Sequence, residues 1–330
     1  MLRSETAADK ARMARALAGL RRYQEAPREP SPVPPPVIAE QLGAAIRDYG
    51  GAGTPVLFVP SLINPPNILD LGDRSLLRWL VGRGHRPMLL DWGWPGPARR
   101  ELDIAGHVEQ ILLPLIASLD AAPILAGYCL GGTMALAAAA TSDVPGLALI
   151  AAPWHFSAFP DRSREALSEL WRQARPTADS LGLLPMEVLQ SAFWSLDPAR
   201  TVGKFEAYGA MAADSPEARS FVTLEDWAND GPPLPRAAAR ELFEHFFRDD
   251  MPGSGKWRIG AQEIHPGNLT CPVLNIVSTS DRIVPAATAA DVGDPLRLGQ
   301  GHVGMIVGGR AKEALWQPLS DWLSRVKRGC

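Results

Sequence analysis

Cysteine is scarce: Cys129, Cys271 and Cys330 are the three among 330 residues. An odd, scattered set excludes a disulfide framework and fits a reducing compartment. Excess charge of either sign is lacking too. The 33 Lys and Arg nearly balance 36 Asp and Glu, a formal net charge of −3, which gives no electrostatic basis for a nucleic-acid or anionic-membrane partner. No apolar run reaches the roughly 18 residues of a membrane span; the longest ends near Ala140 and is rich in Ala and Gly. The N-terminus carries acids and bases throughout and lacks the apolar core of a signal peptide. A soluble, cytoplasmic protein is expected. There is no Walker loop, no G-x-G-x-x-G after a strand and no H-E-x-x-H, so neither a nucleotide cofactor nor a metal is predicted.

What is present is enough to bury a core: 46% of the residues are hydrophobic. At this length the expectation is one α/β domain carrying an insertion. Met13, Leu17 and Leu20 recur at helical spacing and predict an amphipathic helix over 5–24, packed on its own domain or on a partner. The proline-rich stretch 27–36 (PREPSPVPPP) reads as an extended linker. Short apolar runs bounded by Gly, Pro or Asp then predict strands at 55–60, 87–91, 123–127, 146–151 and 272–278, with helices at about 74–84, 101–119 and 130–141. Buried strands alternating with helices mean a doubly wound, mostly parallel sheet. The alternation stops after Ala152 and resumes at Pro272; between them lie helices, loops and many aromatics. The predicted organisation is an N-terminal helix and linker (1–36), a core (37–153 and 263–330) and an inserted, mainly helical cap (154–262). A last helix is expected at about 311–327.

The segment Gly127-Tyr128-Cys129-Leu130-Gly131-Gly132 follows a predicted strand and precedes a predicted helix. G-x-C-x-G in that setting is the cysteine form of the nucleophile elbow of the α/β-hydrolase fold. The glycines let backbone pass close to a strained nucleophile. The helix N-terminus favours a thiolate and offers amides to an oxyanion. In this fold the acid and then the histidine follow the nucleophile. Asp281 leaves a strong strand, and His302 sits in the Gly-flanked loop Gly301-His302-Val303-Gly304. Cys129, Asp281 and His302 are thus the predicted triad, with His302 as base and Asp281 fixing its tautomer. Asp294 is the rival acid but follows no predicted strand. Leu130 is the candidate for one oxyanion amide and Ile63 for the other, with Leu62 close behind. Asn64, Trp154 and Trp227 are candidate substrate contacts. The segment Asp91-Trp92-Gly93-Trp94-Pro95 is read as shaping a strand-end turn that borders the site.

Taken in order, these motifs resemble those of the polyhydroxyalkanoate synthases, especially the short type whose catalytic subunit works with a second subunit. The resemblance spans roughly residues 45–327. It rests on INPPNILDL at 63–71, LDWGWP at 90–95, GYCLGG at 127–132, LEDWANDGPP at 224–233, CPVLNI at 271–276, DRIVP at 281–285 and GHVG at 301–304. Arg282 and Ala286 stand where the family usually has His and a second Pro. The stretch between Asp281 and His302 is short and is expected to lack part of a strand. The resemblance implies transfer of (R)-3-hydroxyacyl groups from 3-hydroxyacyl-CoA to a growing polyester, through a thioester on Cys129. It implies no cofactor, since coenzyme A enters as part of the substrate. The implied partners are a second synthase subunit or a second copy, and the polymer granule surface. A thioesterase or polyester depolymerase with the same triad, and a non-catalytic granule-associated homologue, are the alternatives that the motifs leave open.

Overall fold

The computed structural model describes residues 2–28 and 32–326. Among them the apolar runs form the interior of an eight-stranded sheet. Its strands are β1 (Val37–Gln41), β2 (Ala44–Asp48), β3 (Pro55–Val59), β4 (Arg86–Asp91), β5 (Ile124–Tyr128), β6 (Leu147–Ile150), β7 (Val273–Ser278) and β8 (Asp294–Leu298). Their order across the sheet is β1-β2-β4-β3-β5-β6-β7-β8. β2 runs antiparallel to both its neighbours, and every other pairing is parallel. Every residue of β3, β5 and β6 is buried, as strands covered on both faces must be. The helix Leu130–Thr141 is apolar all round and buried over its first ten residues, Leu130–Ala139, which suits an element enclosed by the fold.

Two elements depart from the sequence expectation. Val37–Asp48, at the start of the expected core and without a predicted strand, is a hairpin. Its two-residue turn, Leu42-Gly43, has φ of 49° and 79°, the doubly positive geometry that matches strand twist. Leu42 is not a residue that announces such a turn. The second correction concerns the stretch before His302, which keeps its strand. β8 pairs in register with β7 from Leu274↔Asp294 to Ser278↔Leu298, so Asp294 opens a strand, at the sheet edge opposite the one carrying Cys129. Pro295 hides this strand in the sequence, but an edge strand tolerates proline.

The chain divides into two compact units. The sheet unit comprises Pro34–Pro185 and the chain from Pro232 onward; the helical unit comprises the chain up to Val33 and Met186–Gly231. The segment 154–262 thus contributes to both. In the helical unit the N-terminal helix Lys10–Glu25 lies on the helix Pro198–Ala210 so closely that a Cβ at Gly19 would fall 1.9 Å from the Phe205 carbonyl oxygen. Arg22 donates to the carbonyls of Tyr208, Gly209 and Met211 at 2.9, 3.2 and 2.7 Å, satisfying the C-terminal end of that second helix. Tyr23 and Arg28 donate to Asp226, and Lys204 to the buried Glu225. Two acids of the 224–233 motif, Glu225 and Asp226, are thereby taken up in holding this unit together. Among the described residues no helix is long and apolar enough to cross a membrane.

Candidate active site

Parallel strands present their C-terminal ends at one edge, where open α/β sheets bind ligands. The loops after β3, β4, β5, β7 and β8 all open there, and they carry Ser61–Asn64, Trp92, Cys129, Asp281 and His302. The turn after β5 is the tightest. Cys129 has φ 56° and ψ −132°, a strained region for a residue with a side chain. Its amide donates to the Ile150 carbonyl at 3.0 Å, and its carbonyl accepts from Gly132 N–H at 2.8 Å. The flanking glycines are demanded by backbone contact. A Cβ at Gly127 would meet the Gly132 Cα at 2.4 Å, and one at Gly131 would meet the Val59 and Pro60 carbonyl oxygens at 2.2 and 2.4 Å.

His302 Nδ1 donates to Asp281 Oδ2 at 2.6 Å, and the Cys129 thiol lies within hydrogen-bonding reach of the same ring. The other Asp281 oxygen, Oδ1, accepts from the amides of Ile283 and Val284 at 2.8 and 3.0 Å. The Asp281 side chain has no exposed surface and that of His302 only 8%; Cys129 is half-buried. Burial works against an imidazolium here, but Cys129 and Asp281 beside it outweigh that and push the His302 pKa up to about 10. The three predicted triad residues therefore converge. Tyr128 supports them in a way the sequence did not reveal. Its ring stacks on His302 at 4.9 Å between centroids, and its hydroxyl donates to the His302 carbonyl at 3.2 Å. Burial, with Cys129 and Asp281 adding, holds that hydroxyl well above its ordinary pKa. Its place next to Cys129 is the only signal the sequence offers.

The remaining candidates are distributed unevenly. Leu130 opens the elbow helix, where the first amides lack intrahelical acceptors. The Ile63 amide is already committed, donating to Ser61 Oγ at 3.0 Å. Leu62 N–H, unlike that of Ile63, has no protein acceptor among the described residues. Asn64 is half-buried with φ 65°. Trp154 is 2% exposed and packs edge-on against Trp257 at 6.0 Å, which makes its ring part of the core. Trp227 lies on the helix Pro216–Asn229 of the helical unit. Asp91 is occupied structurally: it pairs with Arg47 at 3.1 Å and accepts from Gly93 N–H at 3.0 Å. Among the described residues no cluster of His, Cys, Asp and Glu is arranged to hold a metal.

Comparison with known proteins agrees with this geometry. A family model described as "Alpha/beta hydrolase family" matches residues 56–307. The chain is 28% identical over 291 residues to the poly(3-hydroxyalkanoate) polymerase subunit PhaC of Allochromatium vinosum, covering 82% of this chain and 80% of that one. The subunit of the same name from Thiocystis violacea is 29% identical, with coverage of 82% and 81%. That from Haloarcula marismortui is 26% identical over 88% of this chain, which spans only 65% of that relative's length. Among solved structures, an esterase from Thermogutta terrifontis superposes with a TM-score of 0.56 at 19% identity, covering 86% of this chain and 94% of that one. A monoacylglycerol lipase from Paleococcus ferrophilus gives 0.52 at 17%, with coverage of 86% and 99%. At such identities these two likenesses speak to the fold alone.

Proposed function

The chain belongs to the alpha/beta hydrolase family, and from that premise we propose that it is an acyltransferase polymerising (R)-3-hydroxyacyl groups from coenzyme A thioesters. The observation that carries the reading is the site itself: a thiol on a strained elbow, beside a histidine bound to a buried aspartate at 2.6 Å. The similarity to polymerase subunits over most of the chain supports the substrate class. Cys129 sulfur attacks the thioester carbonyl with its proton already carried by His302, whose raised pKa makes it an imidazolium at neutral pH. The bond to the coenzyme A sulfur breaks, and that sulfur leaves with the proton from His302. A 3-hydroxyl group then gives its proton to His302 while its oxygen attacks the Cys129 thioester, and the thiolate is restored. Asp281 acts through His302, since its own side chain is enclosed. The amides of Leu130 and Leu62 receive the developing oxyanion, and Asn64, next in that loop, is the proposed contact for the thioester. Thiol–thioester exchange is nearly isoenergetic, so the acyl group stays available for transfer.

On this reading the chain works in the cytoplasm at a polymer granule, with a second synthase subunit or a second copy of itself. The test is incubation with radiolabelled 3-hydroxybutyryl-CoA. Label on Cys129 followed by polymer is expected, with Cys129→Ala folded and inactive. Free 3-hydroxybutyrate as the sole product would make the chain a thioesterase, and full turnover by Cys129→Ala would overturn the mechanism.

A further inference from the structure

The sequence motif Asp91-Trp92-Gly93-Trp94-Pro95 has so far been given no part in the chemistry, yet its two tryptophans part company. Trp94 is 69% exposed and Trp92 only 3%. The Trp92 indole N–H donates to the Pro60 carbonyl at 3.0 Å. Pro60 begins the loop that carries Ser61, Leu62 and Ile63, and its carbonyl oxygen is one of the two oxygen atoms against which Gly131 is packed. The Pro60 carbonyl is therefore held on one side by an indole and faced on another by the backbone of the elbow helix.

Trp92 is itself fixed. The guanidinium of Arg99, 2% exposed, donates to the Trp92 carbonyl. Burial lowers the Arg99 pKa to about 10, which leaves it cationic at neutral pH. His107, fully buried, meets the indole edge-on at 5.9 Å, and its Nδ1 lies 2.7 Å from the Asp103 carbonyl. A buried guanidinium devoted to one backbone carbonyl is an expensive arrangement unless the position of that backbone matters.

We propose that Trp92 is a positioning residue that sets the oxyanion-binding amide of the loop after β3 against the elbow, with Arg99 holding Trp92 in place. The proposal rests on the assignment of Cys129 as an acyl-accepting nucleophile. An oxyanion donor acts only where charge develops in the transition state. Loss of the indole N–H should therefore slow acylation and leave the thiol's intrinsic reactivity untouched.

The experiment compares two reactions of the same sulfur in the full chain. p-Nitrophenyl acetate acetylates Cys129: the sulfur–acyl bond forms, the aryl ester bond breaks and p-nitrophenolate leaves, through a tetrahedral oxyanion. Iodoacetamide alkylates the same thiol with loss of iodide and no oxyanion. Trp92→Phe keeps most of the ring and removes the donor. It should slow acetylation by about 10- to 100-fold while alkylation stays within about two-fold of wild type. Arg99→Gln should show the same divergence more weakly, and serves if the first variant does not fold. Unchanged acetylation in the folded variant, or acetylation and alkylation falling by the same factor, would overturn the proposal alone. A wild-type protein that takes no acetyl group would overturn the nucleophile assignment and the proposal with it.

Discussion

Around Cys129 the sheet unit brings backbone against backbone at three glycines in one turn, whereas the helical unit does so where Gly19 meets Phe205 and joins its other segments through long charged side chains. In the first, Gly127, Gly131 and Gly132 have no room for a methyl group, and the polar bonds converge on a few enclosed atoms. In the second, Arg28 and Asp226 are 39% and 36% exposed, and Arg12 and Arg15 share Glu206 near the surface. Pairs of that kind contribute about 0–1 kcal/mol each and weaken with salt. The difference separates two tasks. Reacting atoms need placement to within a fraction of an ångström, which close backbone packing supplies. Helices that only have to stay associated are served by adjustable contacts, here supplemented by the stacked Tyr208 and Phe221 rings at 4.4 Å.

The comparison can be broken at three points. The largest effect is expected from Asp281→Asn. By disturbing the tautomer of His302 it should cut turnover by about 10⁴-fold, read as kcat, with the far-ultraviolet circular dichroism unchanged. A pair of identical substitutions comes next. Gly131→Ala should cost about 3 kcal/mol in urea unfolding, because its methyl group meets two backbone oxygens. Gly203→Ala, inside the helix Pro198–Ala210 with nothing within 4 Å, should gain about 0.5–1 kcal/mol. Equal signs would mean that the two units do not differ in tolerance. The smallest is a pH effect. The folded-state pKa of His302 is raised from 6.5 to about 10. Its stabilisation is therefore fully present below pH 6.5 and lost as pH rises through about 10. Unfolding of wild type against His302→Gln across that window should show the two converging as the pH rises.

Much of this was legible beforehand, for identifiable reasons. Strands β3, β5 and β6 are enclosed on both faces and so read as unbroken apolar runs. The meeting of Cys129, Asp281 and His302 follows from motif order, because the fold returns each strand end to one edge. The hairpin Val37–Asp48 was hidden by a turn built on Leu42, and β8 by Pro295 and Arg297. The support of the site was not legible either. Tyr128 on His302 and Trp92 on Pro60 are meetings of distant segments, and no local pattern encodes which carbonyl an indole will find. The pairing of the N-terminal helix with Pro198–Ala210 is of the same kind: its apolar stripe showed that it packs, not on what.

The backbone angles of Cys129 carry a wider consequence. Glycine adopts φ near 56° without strain, whereas cysteine does so at a cost of about 1–3 kcal/mol. For folding alone, then, this is the wrong residue in the place where a relaxed chain would carry none. A lineage that had ceased to use the thiol would gain stability by losing it, and mutation would supply the replacement readily. A thiol there without a task would be a net cost to the fold.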